Sequence, residues 1–274
     1  MGYSFLRHLS RSIYFGDGVS AGDRLIAMFT IYFDASGNKR TDVMTAAGFV
    51  SHVKRWERFE KRWTSILKSY SVSEFHMTEF VSSVGEFKHF KGQSELRKTF
   101  ISELIDCVLH HTKRGFVGSL ILSDYQEVNR DYMLAEGVGK PYTVCAGGCL
   151  SAFKRWLAKR NIQPSSALVF VEAGDEDLGE FVDRARLEGF KAIPMPKSYS
   201  PAFQIGDLVA WKCRTTLTNV MKQDISCQED ADNIKRSLDP VRTIIHVNGV
   251  QCKESLLTIC SKGPIQRRRF PVAI

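Results

Sequence analysis

The feature that most constrains this chain is a six-residue run, Ala167–Glu172 (ALVFVE), that is wholly apolar until it ends on a carboxylate. So short an apolar run fits a strand buried on both faces, central in a sheet covered by helices. Residues 28–34 (MFTIYFD) alternate, with Phe29, Ile31 and Phe33 on one face and Thr30, Tyr32 and Asp34 on the other. Residues 35–38 read as a turn and 44–50 as a second strand, which together predict a hairpin. Helical spacing follows over 53–70, where Trp56, Phe59, Trp63, Ile66 and Leu67 share a face, and again over 95–111, 142–160, 178–188 and 204–217. Further strands are expected at 115–123 and 191–196. Beyond residue 220 the pattern weakens to a polar helix near 229–237 and a strand at 243–247. Strands first, then strands alternating with helices, predict an α/β fold with a mixed β-sheet flanked by helices on both faces. That order excludes a helical bundle, a β-sandwich and an eightfold barrel.

The chain has 274 residues, enough for one large domain or two small ones. Apolar residues at 43% and charged residues at 25% exclude disorder as the main state. No run of eighteen apolar residues occurs, so no membrane span is expected. Residues 1–27 read as a flexible N-terminal extension without a secretory apolar region, 28–222 as the core domain and 223–274 as a C-terminal α/β appendage. The appendage could form a homodimer, hold nucleic acid or dock a partner protein. Seven cysteines occur without a CxxC pair, and Cys145 and Cys149 have no second pair to complete a zinc site. Reduced thiols in a cytoplasmic protein are the expectation. A net charge of +8 raises the prior for a polyanionic partner.

Three acids stand where acid is expensive. Asp34 ends the first strand, Glu172 ends the most apolar one, and Asp207 lies in a helix whose stripe is Ile205, Leu208 and Val209. A buried carboxylate costs several kcal/mol unless paired or bound to metal. Ligand sites in open α/β sheets gather at the carboxyl ends of strands, where Asp34 and Glu172 would both point. Converging there, with Asp175 as a fourth, they would form an oxygen-ligand site for Mg²⁺ or Mn²⁺, two ions of which can activate water against a phosphodiester. Gly206 would let the Asp207 helix approach the sheet, and Phe203, Gln204 and Trp211 would line the approach. Each acid also has a plainer role. Asp34 suits a turn cap, Glu172 a pair with a nearby lysine, Asp175 a helix N-cap, and Asp207 a pair with Arg214.

At these residues the chain resembles a known family. Tyr32-x-Asp34-x-Ser36-Gly37, Glu172 with Asp175, and Gln204-x-x-Asp207-x-x-Ala210 are similar in kind and order to the family called domain of unknown function 3800. Residues 74–79 (EFHMTE) resemble that family's E-x-H stretch. The likeness spans roughly residues 28 to 222. Ala35 stands where the family often has an acid, and Gly206 where it often has alanine. The resemblance implies a ribonuclease-H-like fold with a helical insertion. It also implies divalent-metal ligands at Asp34, Glu172 and Asp207, with Asp175 optional, and a site-lining or proton-transfer role for His76.

The function expected is a metal-dependent nuclease cleaving DNA or RNA, with Asp34, Glu172, Asp207 and His76 at the reacting centre. Arg58, Lys61 and Arg62 on one helix, Lys154 and Arg155 on another, and Arg214 would hold the backbone, helped by Arg267–Arg269. His89 in residues 86–93 (EFKHFKGQ) could stack on bases among its neighbouring phenylalanines. Residues 33–38 (FDASGN) are superficially close to the motif of aspartyl-phosphate phosphatases, but Ser36 stands where a second aspartate is required. An actin-like ATP-binding protein would need two phosphate loops, and residues 172–179 (EAGDEDLG) are too acidic for one. The alternative from another class is a non-catalytic nucleic-acid-binding or partner-binding module of a bacterial or phage defence or mobile-element system.

Overall fold

The computed structural model describes residues 29–37, 41–174, 177–222, 244–262 and 265. Among the described residues six strands form one mixed sheet: β1 (Phe29–Ser36), β2 (Val43–Ser51), β3 (Arg114–Ile121), β4 (Ala167–Glu172), β5 (Lys191–Met195) and β6 (Ile245–Gln251). Their order across the sheet is β5-β4-β1-β2-β3-β6. β2 runs antiparallel to β1 and β3, whereas β1 with β4, β4 with β5 and β3 with β6 are parallel. β1, entered first by the chain, therefore lies near the middle.

The helices are α1 (Val53–Ser69), α2 (Met77–Ser82), α3 (Ser94–His111), α4 (Leu122–Asp131), α5 (Leu134–Gly137), α6 (Pro141–Ala158), α7 (Leu178–Leu187), α8 (Ala202–Met221) and α9 (Lys253–Lys262). They cover both faces, as the apolar strands require. One core joins α1, α3 and α8 to the sheet through Tyr32, Trp63, Phe170 and Phe203. The other joins α6, α7 and α9 through Ile31, Phe33, Val169 and Leu256. Alternation along β1 thus sends Phe29, Ile31 and Phe33 to the second core and Tyr32 to the first, as the sequence predicts.

Several elements differ from expectation. The apolar stretch 115–123 is not one strand: β3 stops at Ile121, Leu122 N–H donates to Asp42 O at 2.9 Å, and α4 begins. Its stripe Leu122, Tyr125, Val128 is buried at i, i+3, i+6. Residues 85–90, expected to offer aromatic rings to bases, are a 3₁₀ helix. Phe87 and Phe90, three apart as that helix eclipses its side chains, are fully buried among Phe75, Phe80 and Phe100. They offer no face to a base. The segment read as an appendage adds β6 to the edge of the core sheet, and α9 packs beside it against α4. Cys145 and Cys149 point into the α6–β2 interface, each Sγ 3.5 Å from a backbone carbonyl, and burial pushes both thiols up. No described helix is long and apolar enough to cross a membrane. The extension 1–27, the helix near 229–237 and Arg267–Arg269 lie outside the described residues.

Candidate functional site

Strand register builds the site. Phe33 pairs with Val171, so the next residues along the parallel strands, Asp34 and Glu172, come side by side at the carboxyl ends of β1 and β4. The Glu172 carboxyl is close enough to raise the pKa of Asp34. Both side chains fall on the α8 face by the period-two rule. There Gly206 meets them: a methyl group at that position would lie 2.5 Å from Asp34 Cβ, so only glycine lets α8 come this close. One residue on, Asp207 reaches the same place.

The remaining partner was not legible in the sequence. Glu172 pairs with Met195 on β5, and two residues later Lys197 turns back over the strand ends on a short 3₁₀ helix. Its Nζ lies 2.9 Å from Asp34 Oδ2 and 3.5 Å from Asp207 Oδ2. Asp34 is 1% exposed, and its Oδ1 accepts a bond from Ala35 N–H at 2.8 Å. Asp207 Oδ2 also accepts from Met77 N–H at 3.1 Å and lies 3.8 Å from His76 Nδ1. His76 caps α2 and has its other nitrogen 3.8 Å from Glu74 Oε2. The E-x-H stretch therefore does reach the acid centre.

The charges divide unequally. Burial, then the hydrogen bond with Glu172, hold the Asp34 carboxyl well above the usual carboxylate range, against the pull of Lys197. Burial also works on Asp207, but His76, Lys197 and the Met77 N–H together hold it below that range. Pairing with Asp207 is the main cause that raises His76. Burial would lower Lys197, yet Asp34, Asp207 and Glu172 raise it, so it is a firm ammonium. The centre thus combines a reluctant acid, a committed carboxylate and a fixed cation.

Asp34, Glu172, Asp207 and His76 are brought together; Asp175 lies outside the described residues. Among the described residues no group of three or more His, Cys, Asp and Glu is arranged to hold a metal ion as it stands. The donor chemistry nevertheless suits a hard cation, because the Asp34 and Asp207 carboxylates flank one positive charge and Glu172 lies next to Asp34. That charge is the Lys197 ammonium, so a metal would require Lys197 to yield and the Asp34–Glu172 pair to lose any shared proton.

Other expected roles shift. Phe203 and Gln204 do not line an approach. Phe203 is wholly buried, and Gln204 Oε1 accepts bonds from Trp63 Nε1 at 2.7 Å and Phe75 N–H at 3.1 Å. Gln204 is a staple joining α8, α1 and the stretch before α2. Trp211 is half-buried. Arg214 does not pair with Asp207; its Nε donates to Ser36 Oγ at 2.9 Å, two residues from Asp34. Among the described residues it is the one expected backbone-holding residue beside the carboxylates. Lys154 lies 3.4 Å from Glu188, and Arg155 Nη2 donates to Asn248 at 3.3 Å. Arg58 and Arg62, with Arg55, His110 and His111, line a groove of about 560 Å³ between α1 and α3, which Glu103 and Asp106 also enter. Lys61 is exposed on the same helix.

No known protein family's profile matches the chain, and no curated protein matches it.

Proposed function

We propose that this protein is a divalent-metal-dependent nuclease whose centre is formed by Asp34, Glu172 and Asp207. The observation that carries the reading is the convergence of three acid side chains, from β1, β4 and α8, on one cation position at the carboxyl ends of parallel strands. Asp34 and Asp207, on different elements, share the Lys197 ammonium, and Glu172 stands beside Asp34. The strand order supports the ribonuclease-H-like expectation, with the first strand central, an antiparallel meander to one side and parallel crossovers to the other. The bound ions, Mg²⁺ or Mn²⁺, would supply an activated water and stabilise the leaving oxygen. The chain's own residues orient and balance. Met77 N–H and His76 fix the Asp207 carboxylate, Gly206 sets its depth, and Arg214 stands at the rim where a phosphate would arrive. His76 is half-exposed beside Asp207, placed to pass a proton to solvent.

The test is Mn²⁺-dependent cleavage of labelled single-stranded and double-stranded DNA and RNA. Asp34→Asn is expected to abolish turnover with the circular dichroism spectrum retained; undiminished cleavage by that variant would sink the assignment. A second reading, a nucleic-acid-binding module without turnover, is favoured by Lys197, which already neutralises the centre. Salt-sensitive binding with no turnover in any divalent metal would select it.

A further inference from the structure

β1 and β3 run in the same direction, since both are antiparallel to β2. Asp34 lies near the end of β1, whereas Arg114 begins β3 and His246 lies at the start of β6. At this opposite end of the sheet a cavity of about 300 Å³ opens beside the last turns of α6. Its walls carry Arg114, Arg155, Trp156, Lys159, Arg160 and His246. Phe29, the first residue of β1, packs edge-on against Trp156 at 5.0 Å. Five steps of extended strand run from Phe29 to Asp34, so the cavity is about 17 Å or more from the carboxylates.

Three properties distinguish it from the groove between α1 and α3. No acid lines it. None of Arg114, Arg155, Lys159 and Arg160 forms an ion pair among the described residues, in contrast to Lys154 one turn away. Two of the cations are nevertheless fixed. The Arg160 guanidinium lies 3.8 Å over the Trp156 ring and donates to Trp156 O at 2.9 Å, and Arg155 is held by the neutral Asn248. Four like charges around one small cavity repel, and a bound anion relieves that repulsion. A flat guanidinium layered on an indole is also a stacking platform for a planar base. The volume is at the lower end of small-ligand pockets, the size of one nucleotide unit.

We propose that this cavity binds a nucleotide unit, a base stacked at Arg160 and Trp156 with its phosphate among Arg114, Arg155 and Lys159. The unit is free or part of a single strand. This site goes beyond the cleavage reading, since binding here needs neither metal nor the carboxylates. It would anchor a strand far from the reacting centre.

The experiment uses the full chain in EDTA, with fluorescence anisotropy of a labelled oligothymidine strand and AMP as competitor and as direct ligand by calorimetry. Lys159→Gln/Arg160→Gln, both exposed positions, is expected to weaken binding about tenfold or more and to flatten its salt dependence. Arg114→Gln, on a different element, should act in the same direction, with thermal melts of all variants coinciding. AMP binding that is lost in the variants assigns a free nucleotide; strand binding that AMP does not displace assigns a strand. Wild-type failure to bind either ligand, or equal affinity in the double variant and wild type, overturns the proposal. The binding assay contains EDTA and reads no turnover, so failure of the cleavage reading leaves this measurement independent.

Discussion

Lys197 Nζ and Asp34 Oδ2 stand 2.9 Å apart across 163 residues of sequence, and this ion pair sets the electrostatics of the whole carboxylate centre. Asp34 is almost wholly buried and Lys197 is 15% exposed, so the ammonium cannot fall back on water, and its pull on Asp34 opposes the burial that favours the neutral acid. Removing one partner of such a pair is strongly destabilising, by about 3–5 kcal/mol. Lys197→Met is therefore expected to lower urea-unfolding stability by about that amount, and Asp34→Asn should partly restore it. A coupling energy of about 1–3 kcal/mol in the double-mutant cycle is expected, and additive effects would show that the pair does not interact in solution.

His76 reports the same centre from its edge. Asp207 raises its pKa and Lys197 lowers it. Proton NMR titration of the His76 ring should therefore move in opposite directions in two variants: down in Asp207→Asn and up in Lys197→Met. A group whose folded pKa is raised stabilises the fold below its unfolded value, near 6.5, and loses that contribution as pH rises through the folded value. If His76 titrates identically in all three proteins, it does not belong to the centre.

Much of this was legible in the residues and part was not. β4 is bounded in the structure as its apolar run indicates, because a strand buried on both faces leaves no alternative for such a sequence. The period-two pattern of β1 places Asp34 on the face where Glu172 and Asp207 lie, and Gly206 has the close approach expected of it. Lys197 was invisible for a physical reason. Its partners are 163 and 10 residues away, and nothing in the surrounding sequence (PMPKSYSP) marks a lysine that will be desolvated. Gln204 reads in the sequence as a ligand-facing group because it is an amide beside an acid motif; its role as acceptor for Trp63 and Phe75 depends on α1 meeting α8. Residues 77–82 and 85–90 form elements of six residues each, too short to show a helical period in the sequence.

Glu60 supplies a pH dependence separate from the centre. Burial is the main cause that raises its pKa from 4.5 to about 7, against a 2.7 Å bond from Ser200 Oγ. Within that window the folded state binds more protons than the unfolded one, so stability falls as pH rises. The contribution is fully present below pH 4.5 and lost by about pH 7. At about 1.4 kcal/mol per unit, the total is of order 3 kcal/mol. Glu60→Gln keeps an acceptor for Ser200 and cannot ionise. Urea unfolding between pH 5 and pH 8 should show a smaller loss of stability in this variant than in wild type; parallel curves would refute the assignment.

The Gln204 staple makes the last prediction, and it separates architecture from chemistry. Its Oε1 accepts two bonds, and both donors, Trp63 Nε1 and Phe75 N–H, are buried. A buried donor left without an acceptor costs about 1–3 kcal/mol, more than the bond contributes when made. Gln204→Leu fills similar volume and abandons both donors, so a loss of about 2–5 kcal/mol is expected in chemical denaturation. In a Trp63→Phe background one of those donors no longer exists, and the same change should cost distinctly less. Phe75 is followed directly by His76, so loosening this staple should also widen the approach of His76 to Asp207 and bring the His76 pKa down. A variant that loses stability while His76 titrates unchanged would show that the staple supports the core alone and not the carboxylate centre.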